Sequence, residues 1–266
     1  MHLEPTGERM ITEAYHSTAA DHLIYLMHIA SYEFAMQFTA GKSVLDYGCG
    51  SGYGADKIAD SAKTVTAVDV AADAIEYARS HFNKPNLDFR CVLPNANLPF
   101  GDESFEVVLS FQVFEHVTAT TLYLQEIKRV LSPGGVLVLI TPDRTERLLP
   151  LQKPWNRWHV VEYSPTGLRK ILMQHFSNID LYGMGTRNDA VQIELRRYRR
   201  VKWLTLPGTL PFVPETLRIR FLNLIHTMHG RRGTAPASGN YPFGIGDIEI
   251  SKTASPSVNI VSVCRR

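Results

Sequence analysis

The sequence is poor in cysteine, in long apolar runs and in excess charge. Its three cysteines, Cys49, Cys91 and Cys264, are too far apart for a metal cluster formed by local spacing and do not suggest a disulfide framework. No apolar run approaches the roughly 20 residues of a membrane span, and residues 1–5 do not resemble the start of a secretion signal. A net charge of +2 gives no global case for a nucleic-acid partner. We therefore expect a cytoplasmic protein that does not bind nucleic acid.

Two common nucleotide motifs are also absent, although a glycine-rich turn is present. An apolar strand ends in Asp46 and is followed by glycines at alternate positions, namely Gly48, Gly50, Gly52 and Gly54. A dinucleotide fingerprint would need glycine where Tyr53 stands, and a phosphate loop would need Gly-Lys-Ser/Thr. Glycine lets the backbone approach a ligand, and the helix expected after the turn directs free N–H groups toward it. The turn therefore predicts a cofactor cradle of a different kind.

A second apolar strand, residues 64–68, is followed by Asp69, seventeen residues after Gly52. An acid at the tip of the second strand of a βαβ unit is placed to accept both hydroxyls of a ribose. The alternative is an ordinary surface acid.

These features resemble motifs I and II of the class I S-adenosylmethionine-dependent methyltransferases. The resemblance continues through three further segments, Leu98 to Ser110, Phe114 to Val117 and Arg129 to Gly135, and covers roughly residues 28–183 in the family's order. It implies S-adenosyl-L-methionine as the cofactor. It also implies an α/β fold with a doubly wound, mostly parallel sheet of seven strands and helices on both faces.

The order of apolar segments predicts the organisation of the chain. Strands are expected at 43–47, 64–69, 87–92, 105–110, 135–141, 178–184 and 258–264, and helices at 53–61, 72–82, 118–131 and 165–175. We divide the chain into an N-terminal helical cap (1–40), a core (41–183 with 256–266) and an inserted lid or substrate region (184–255). Within the insertion we expect helices at 191–206 and 215–229, then a loop at 230–246 rich in Gly, Pro and Ser.

The resemblance implies cofactor contacts at the ends of the first strands. In the family, the acid at Asp46 fixes the glycine loop and the methionyl amino group, directly or through water, and its structural alternative is a turn or helix cap. Asn95 and Ala96 take the adenine position, where the family usually has an acid, so this contact departs from the family pattern. The predicted cofactor-binding residues are Asp46, Gly48, Cys49, Gly50, Tyr53, Asp69, Val70, Asn95, Ala96 and Phe111.

Some members of the family bind a divalent metal through Glu-x-x-Glu-His after the fourth strand. Here Gln112 takes the place of the first carboxylate, and only Glu115 and His116 remain. Hard cations need several oxygen ligands. We therefore predict that the protein has no metal site.

Two histidines are candidate general bases, because an imidazole near its usual pKa can accept a hydroxyl proton at neutral pH. His116 follows strand four, and His159 follows strand five. His159 lies in a segment that resembles a His-x-x-Glu-x-Ser-Pro stretch in relatives encoded with glycan or sugar-pathway genes. Trp155 and Trp158 beside it suit a sugar face, which favours His159. The alternatives are core packing for the tryptophans and a structural hydrogen bond for each histidine.

The sequence thus predicts a methyltransferase that methylates a hydroxyl of a sugar or sugar-containing metabolite, with a small-molecule or glycan acceptor. A quinone-pathway or other small-molecule O- or C-methyltransferase is the first alternative. A non-catalytic, cofactor-binding regulatory protein is the second. The basic run from Arg196 to Arg200 predicts a phosphate-bearing acceptor or peripheral contact with an anionic membrane, unless it is only a solvated helix face.

Overall fold

One sheet of eight strands forms the centre of the molecule. The structure is a computed structural model and describes residues 18–229 and 241–266. The strands are β1 Ser43–Tyr47, β2 Thr64–Asp69, β3 Leu87–Cys91, β4 Phe105–Phe111, β5 Leu131–Pro142, β6 Asn178–Thr186, β7 Ile248–Ser251 and β8 Asn259–Arg265. Their order is β3-β2-β1-β4-β5-β8-β6-β7. The first five strands pair in parallel, and β8 runs antiparallel between β5 and β6.

Helices cover both faces of this sheet. They are α1 Ala19–Thr39, α2 Tyr53–Ala59, α3 Ala72–His81, α4 Thr120–Val130, α5 Arg144–Arg147, α6 Pro165–Leu172, α7 Val191–Thr205 and α8 Glu215–His229. Buried residues of α1, α2, α3 and α7 belong to one apolar cluster, and those of α4 and α6 belong to a second. Neighbouring residues of one strand, such as Val44 and Leu45, fall into different clusters because successive strand side chains point to opposite faces. The predicted doubly wound α/β fold is confirmed.

The sheet has eight strands where seven were expected. The additional strand, β7, pairs antiparallel with β6 at the edge of the sheet. Its four residues are too few for a clear alternating pattern, and the ladder with β6, more than sixty residues earlier in the chain, supplies the hydrogen bonds that define it. Residues 185–186 and 248–251 therefore also belong to the sheet, beyond the strands that the sequence predicts.

The middle of the inserted region contains the two expected helices, α7 and α8. Residues 1–17 of the predicted cap and 230–240 of the predicted loop lie outside the described residues. Within the described ranges, no helix combines the length and apolarity needed to cross a membrane.

Candidate active site

The glycine turn lies where the strand order reverses. β1 stands between β2 and β4, so a crevice opens at the carboxyl end of β1, where open α/β sheets bind ligands. Gly48 has φ +93°, and a Cβ there would lie 2.2 Å from Cγ2 of Val113. Gly50 has φ +53°, and a Cβ there would meet no atom within 4 Å. Gly48 thus permits close packing of the turn, while Gly50 presents its backbone to open space, as a cradle requires.

Asp69 supports this turn with both carboxylate oxygens. Oδ2 accepts from the backbone N–H of Gly50 at 2.9 Å, and Oδ1 accepts from that of Ala71 at 2.9 Å. Each oxygen has a second lone pair. Asp69 can therefore fix the cradle and still accept hydroxyl groups from a ligand.

A cavity of about 510 Å³ lies over the cradle. Of the predicted cofactor-binding residues, it is lined by Gly48, Cys49, Gly50, Tyr53, Asp69, Val70 and Phe111. His116 lines it as well. The structure therefore brings together residues from three strand ends at one cavity of the size that small ligands occupy.

Asn95 and Ala96 do not line this cavity. Asn95 is exposed with φ +54°, and its Oδ1 accepts a hydrogen bond from the Thr118 hydroxyl at 3.3 Å. The proposed adenine contact at these two residues stays a prediction.

The sequence interpretation missed His28 and Tyr32 of α1, which line the cavity from the cap side. They stand four residues apart and so share a helix face with the buried residues Leu23, Met27 and Ala35. Polar rings on an otherwise apolar face were the signal that could have identified them.

Asp46 lies behind the cradle rather than in the cavity wall. Its side chain is buried, and its Oδ2 accepts from the Tyr32 hydroxyl at 3.2 Å. Its Oδ1 is buried with no hydrogen-bond partner among the described residues. Burial raises the pKa of Asp46 to about 7, and the nearby carboxylate of Asp69 acts in the same direction. A buried acceptor without a partner suits a cationic group, so the site fits the methionyl ammonium of S-adenosylmethionine.

We expect cofactor affinity to depend on pH through Asp46. Below pH 7 its carboxyl is largely protonated in the free protein, so an ammonium ligand must displace that proton to gain a charged partner. Binding should be about tenfold weaker near pH 6 than near pH 8, by the linkage of one proton. Isothermal titration calorimetry across this pH range measures the affinity for the cofactor. In Asp46→Asn the affinity should be weak and flat with pH, and a slope that survives this substitution would contradict the assignment.

Removal of the Asp69 carboxylate should weaken cofactor binding. Loss of a charge-assisted bidentate contact costs on the order of 1.5–3 kcal/mol, or roughly 10- to 100-fold in affinity. Calorimetry on Asp69→Ala tests this, with Asp88→Ala as the matched control, because Asp88 is an exposed acid on the neighbouring strand β3. Equal affinities for the two variants would remove Asp69 from the site.

A second cavity, of about 180 Å³, adjoins the first and shares His28 and Gln112 with it. His159 belongs to this second cavity, together with hydrogen-bonding and charged groups from several elements. These include Glu115, Arg147, Asn156, Glu194, Arg197 and Asn259. The cofactor cavity and a polar neighbouring cavity therefore meet at His28 and Gln112.

His159 is held by a buried ion-pair network. Its Nδ1 donates to Oε1 of Glu162 at 2.7 Å, and Arg147 donates to both oxygens of the same carboxylate at 2.8 and 3.0 Å. Although burial opposes ionisation, the charge of Arg147 and these hydrogen bonds hold the pKa of Glu162 well below its usual range. The ionised carboxylate can only accept, so the proton of a neutral His159 is on Nδ1. Nε2 is then the nitrogen that can take a proton from an acceptor.

His116 lies beside His159, with ring centroids 4.9 Å apart. Its Nδ1 donates to the Trp158 carbonyl at 3.1 Å, which leaves Nε2 as its basic nitrogen too. Glu115 is fully buried between strand β5 and these rings, and Thr141 donates to its Oε2 at 2.9 Å. Burial raises the pKa of Glu115, whereas the two histidines lower it. Oε1 of Glu115 has no hydrogen-bond partner among the described residues.

Glu115, His116 and His159 each offer a ligand atom, and these atoms lie within 4.8 Å of one another. The set contains one carboxylate and two imidazoles, whereas magnesium and calcium prefer oxygen ligands. His159 joins this group from a loop more than forty residues along the chain. The pattern at Gln112 to His116 could not show that.

We expect turnover to survive chelation with EDTA, because this donor set holds too few oxygens for a hard cation. The measurement is methyl transfer before and after chelation and dialysis. Loss of turnover that added magnesium restores would contradict the prediction. If only zinc or cobalt restores the lost turnover, the prediction is also contradicted, and the two imidazoles would then be ligands of a softer ion.

Aromatic and basic residues near His159 are placed differently from the sequence interpretation. Arg147 and Arg197 lie 4.2 and 5.4 Å from the centroid of Trp155, so guanidinium groups cover this ring. Trp158 is about half exposed and lines the cofactor cavity. The basic run divides between two faces of α7. Arg197 lines the second cavity and pairs with Glu194, whereas the other three arginines of the run are exposed.

Comparison with known proteins agrees with the site. Residues 45–139 match a family described as methyltransferase domain. A probable S-adenosylmethionine-dependent methyltransferase of Mycolicibacterium smegmatis is 35% identical over 167 residues, which cover 63% of this chain and 62% of that protein. A ubiquinone biosynthesis O-methyltransferase of a Caulobacter species is 35% identical over 129 residues, 48% of this chain and 51% of that protein. The chain thus spans less than two thirds of the length of these curated relatives.

Solved structures share the fold at low sequence identity. An S-adenosylmethionine-dependent methyltransferase of Mesorhizobium loti has a TM-score of 0.55 at 14% identity, over 90% of this chain and 100% of that chain. The cyclase SpnF has a TM-score of 0.57 at 15% identity, over 97% and 88% of the two chains. The fold therefore does not specify the reaction. Residues 45–139 are thus a methyltransferase domain, and the relatives that match the chain are S-adenosylmethionine-dependent, in agreement with the predicted class I family and its cofactor.

Proposed function

We propose that the whole chain is an enzyme that transfers a methyl group from S-adenosylmethionine to a hydroxyl of a sugar or sugar-containing metabolite. The single observation that carries this proposal is the His159–Glu162 pair at the second cavity. A carboxylate that fixes an imidazole through Nδ1 leaves Nε2 to act as a general base. A hydroxyl acceptor needs that base, because it is a poor nucleophile until its proton leaves.

In this proposal the two cavities have separate tasks. S-adenosylmethionine supplies an electrophilic methyl group on a sulfonium when it is bound over the cradle. Gly50 and Asp69 hold the cofactor, and Asp46 binds its ammonium. His28 and Gln112 line the passage between the cavities and align the acceptor, since an in-line displacement depends on orientation. His159 accepts the hydroxyl proton.

The lining of the second cavity supports a polyhydroxyl acceptor. Asn156, Glu194 and Asn259 offer both donors and acceptors at its wall. The covered face of Trp155 does not favour stacking on a sugar ring, so the preference for a sugar rests on these polar groups. A phosphate group on the acceptor would bind Arg197, which is partly exposed at this cavity. A cytoplasmic location is part of the same proposal, since all three cysteines are free.

A second candidate is methylation of a phenolic hydroxyl, as in quinone synthesis. The matches to relatives named ubiquinone biosynthesis O-methyltransferases favour it. The same base and cradle serve this acceptor, because a phenolic hydroxyl also gives up a proton when it takes the methyl group.

The test is calorimetric binding of the cofactor followed by a turnover assay. Purified chain is incubated with methyl-labelled cofactor and matched panels of glycosides, nucleotide sugars and dihydroxybenzenes, and products are identified by mass spectrometry. A methylated sugar hydroxyl supports the proposal, and methylation of the aromatic panel alone replaces it with the second candidate. Binding without turnover on either panel or on a metabolite extract would instead indicate a non-catalytic, cofactor-binding regulatory protein.

A further inference from the structure

Four exposed apolar side chains come from three segments that hydrogen bonds join at one end of the inserted region. They are Leu151, Trp203, Leu204 and Phe212, which are 78%, 59%, 41% and 79% exposed, and we call them the insertion tip. They come from the loop after α5, the end of α7 and the loop before α8. Side chains of this size are rarely left in water without a partner when they occur as a group.

Hydrogen bonds fix these three segments to one another. The side-chain amide of Gln152 donates to the Lys202 carbonyl at 3.1 Å and to the Thr209 hydroxyl at 2.9 Å. The backbone N–H of Lys153 donates to the Thr209 carbonyl at 2.8 Å, and its ammonium donates to the Val213 carbonyl at 2.6 Å. Each member of the insertion tip is within two residues of one of these bonded positions. The tip is therefore a built surface rather than a set of unrelated loop residues.

The backbone at Leu151 adds to this picture. Its φ is +62°, a conformation that costs an L-residue with a bulky side chain of order 1 kcal/mol or more. The adjoining bonds of Gln152 hold it there and direct a large apolar side chain into solvent. Packing of this side chain within the described chain does not explain the strain, because most of its surface is exposed.

Cations surround the insertion tip. On α7 the exposed residues Arg196, Arg199 and Arg200 share a helix face with Trp203, at spacings of three, four and seven residues. Residues 195–229 contain seven lysines and arginines, Arg196, Arg197, Arg199, Arg200, Lys202, Arg218 and Arg220. The single acid in this range, Glu215, pairs with the buried Arg218, and Arg197 pairs with Glu194 just before the range. The other five cations are Arg196, Arg199, Arg200, Lys202 and Arg220. The surface around the tip thus carries an excess of positive charge.

We propose that the insertion tip docks on the surface of an anionic lipid bilayer. Aromatic and aliphatic side chains enter the region between headgroups and acyl chains, and arginines beside them attract anionic headgroups. A soluble phosphate ligand would explain the arginines but not the exposed tryptophan, phenylalanine and leucines. The opposite face of α7 carries Glu194, Arg197 and Tyr198 into the second cavity, so after docking α7 would lie between that cavity and the membrane. Vesicle binding needs no turnover, so this inference stands or falls independently of methyl transfer.

The experiment is sedimentation of the full chain with vesicles of phosphatidylcholine, with and without phosphatidylglycerol. We expect binding to the anionic vesicles that is about tenfold or more tighter, since each cation near the surface contributes on the order of a few-fold to tenfold. Arg199→Gln with Arg200→Gln should remove this preference, and raised salt should weaken binding of the unmodified chain. Trp203→Ser with Phe212→Ser should reduce binding about tenfold or more, because two apolar anchors are lost.

Met173→Ser is the matched control, because Met173 is 61% exposed and directly follows α6, whose buried residues belong to the second apolar cluster. It should bind vesicles like the unmodified chain. Brominated lipid should quench tryptophan fluorescence in the unmodified chain and not in Trp203→Phe, which keeps an anchor but loses the reporter. Vesicle binding that survives Trp203→Ser with Phe212→Ser overturns the proposal. The proposal is also overturned if light scattering shows a dimer that the same double variant dissociates. The insertion tip would then bind a second copy of the chain.

Discussion

Replacement of His159 by alanine should lower kcat by about 10²–10⁴-fold, the usual contribution of a positioned general base. Affinity for S-adenosylmethionine should change little, because His159 lines the second cavity and not the one over the cradle. The imidazole is 4% exposed, and its Nδ1 is engaged by Glu162. This fixes both the ring orientation and the nitrogen that receives the proton. The measurements are kcat with a productive acceptor and calorimetric binding of the cofactor.

His116→Ala is the matched comparison. Its ring is 4.9 Å from that of His159, but it lines the cofactor cavity and is held by a carbonyl rather than a carboxylate. We expect a smaller loss of kcat and a larger effect on cofactor binding than in His159→Ala. If both variants keep near-normal kcat, neither histidine is the base. An acceptor that needs no deprotonation, such as a carboxylate, then becomes the better assignment.

Much of the cofactor cradle could be predicted because its signals are local. The glycines, the end of β1 and Asp69 lie within one βαβ unit, where chain order determines which residues meet. The same holds for the central strands, whose apolar runs mark them directly. Strand and helix ends differ from prediction by a few residues, because the final pairs depend on the neighbouring strand. The position of the cradle could thus be predicted from the short stretch of sequence that forms this βαβ unit.

The acceptor side depends on contacts that sequence spacing does not reveal. Glu162 stands three residues from His159 and was visible as part of a motif, but Arg147 is fifteen residues from Glu162 and comes from helix α5. Likewise, Tyr32 reaches Asp46 only because α1 packs over the turn. Burial of charged groups is decided by how these elements pack together. Single-sequence reasoning therefore placed His159 after strand five but not its partners, whereas the structure buries it in an ion-pair network.

Replacement of Glu162 by glutamine should both destabilise the protein and impair turnover. Arg147 is buried and would lose its charged partner, and breaking one side of a buried ion pair costs about 3–5 kcal/mol. His159 would also lose the carboxylate that orients it, so kcat should fall while the KM for the cofactor stays close to normal. Thermal unfolding and steady-state kinetics below the new melting temperature separate the two effects.

Glu194→Gln is the control for this prediction. Glu194 is also a buried acid paired with an arginine, but the side chain of its partner Arg197 is 36% exposed and can regain water. Its loss of stability should therefore be smaller than that of Glu162→Gln.

The pH dependence of stability gives a further check, because the pKa of Glu162 falls from 4.5 to about 2 on folding. Its contribution is present above the unfolded pKa and lost as pH falls toward 2, so the unmodified chain should lose stability in that range and Glu162→Gln should lose less. If Glu162→Gln and the unmodified chain have equal melting temperatures and lose equal stability at acid pH, the buried pair does not stabilise the fold.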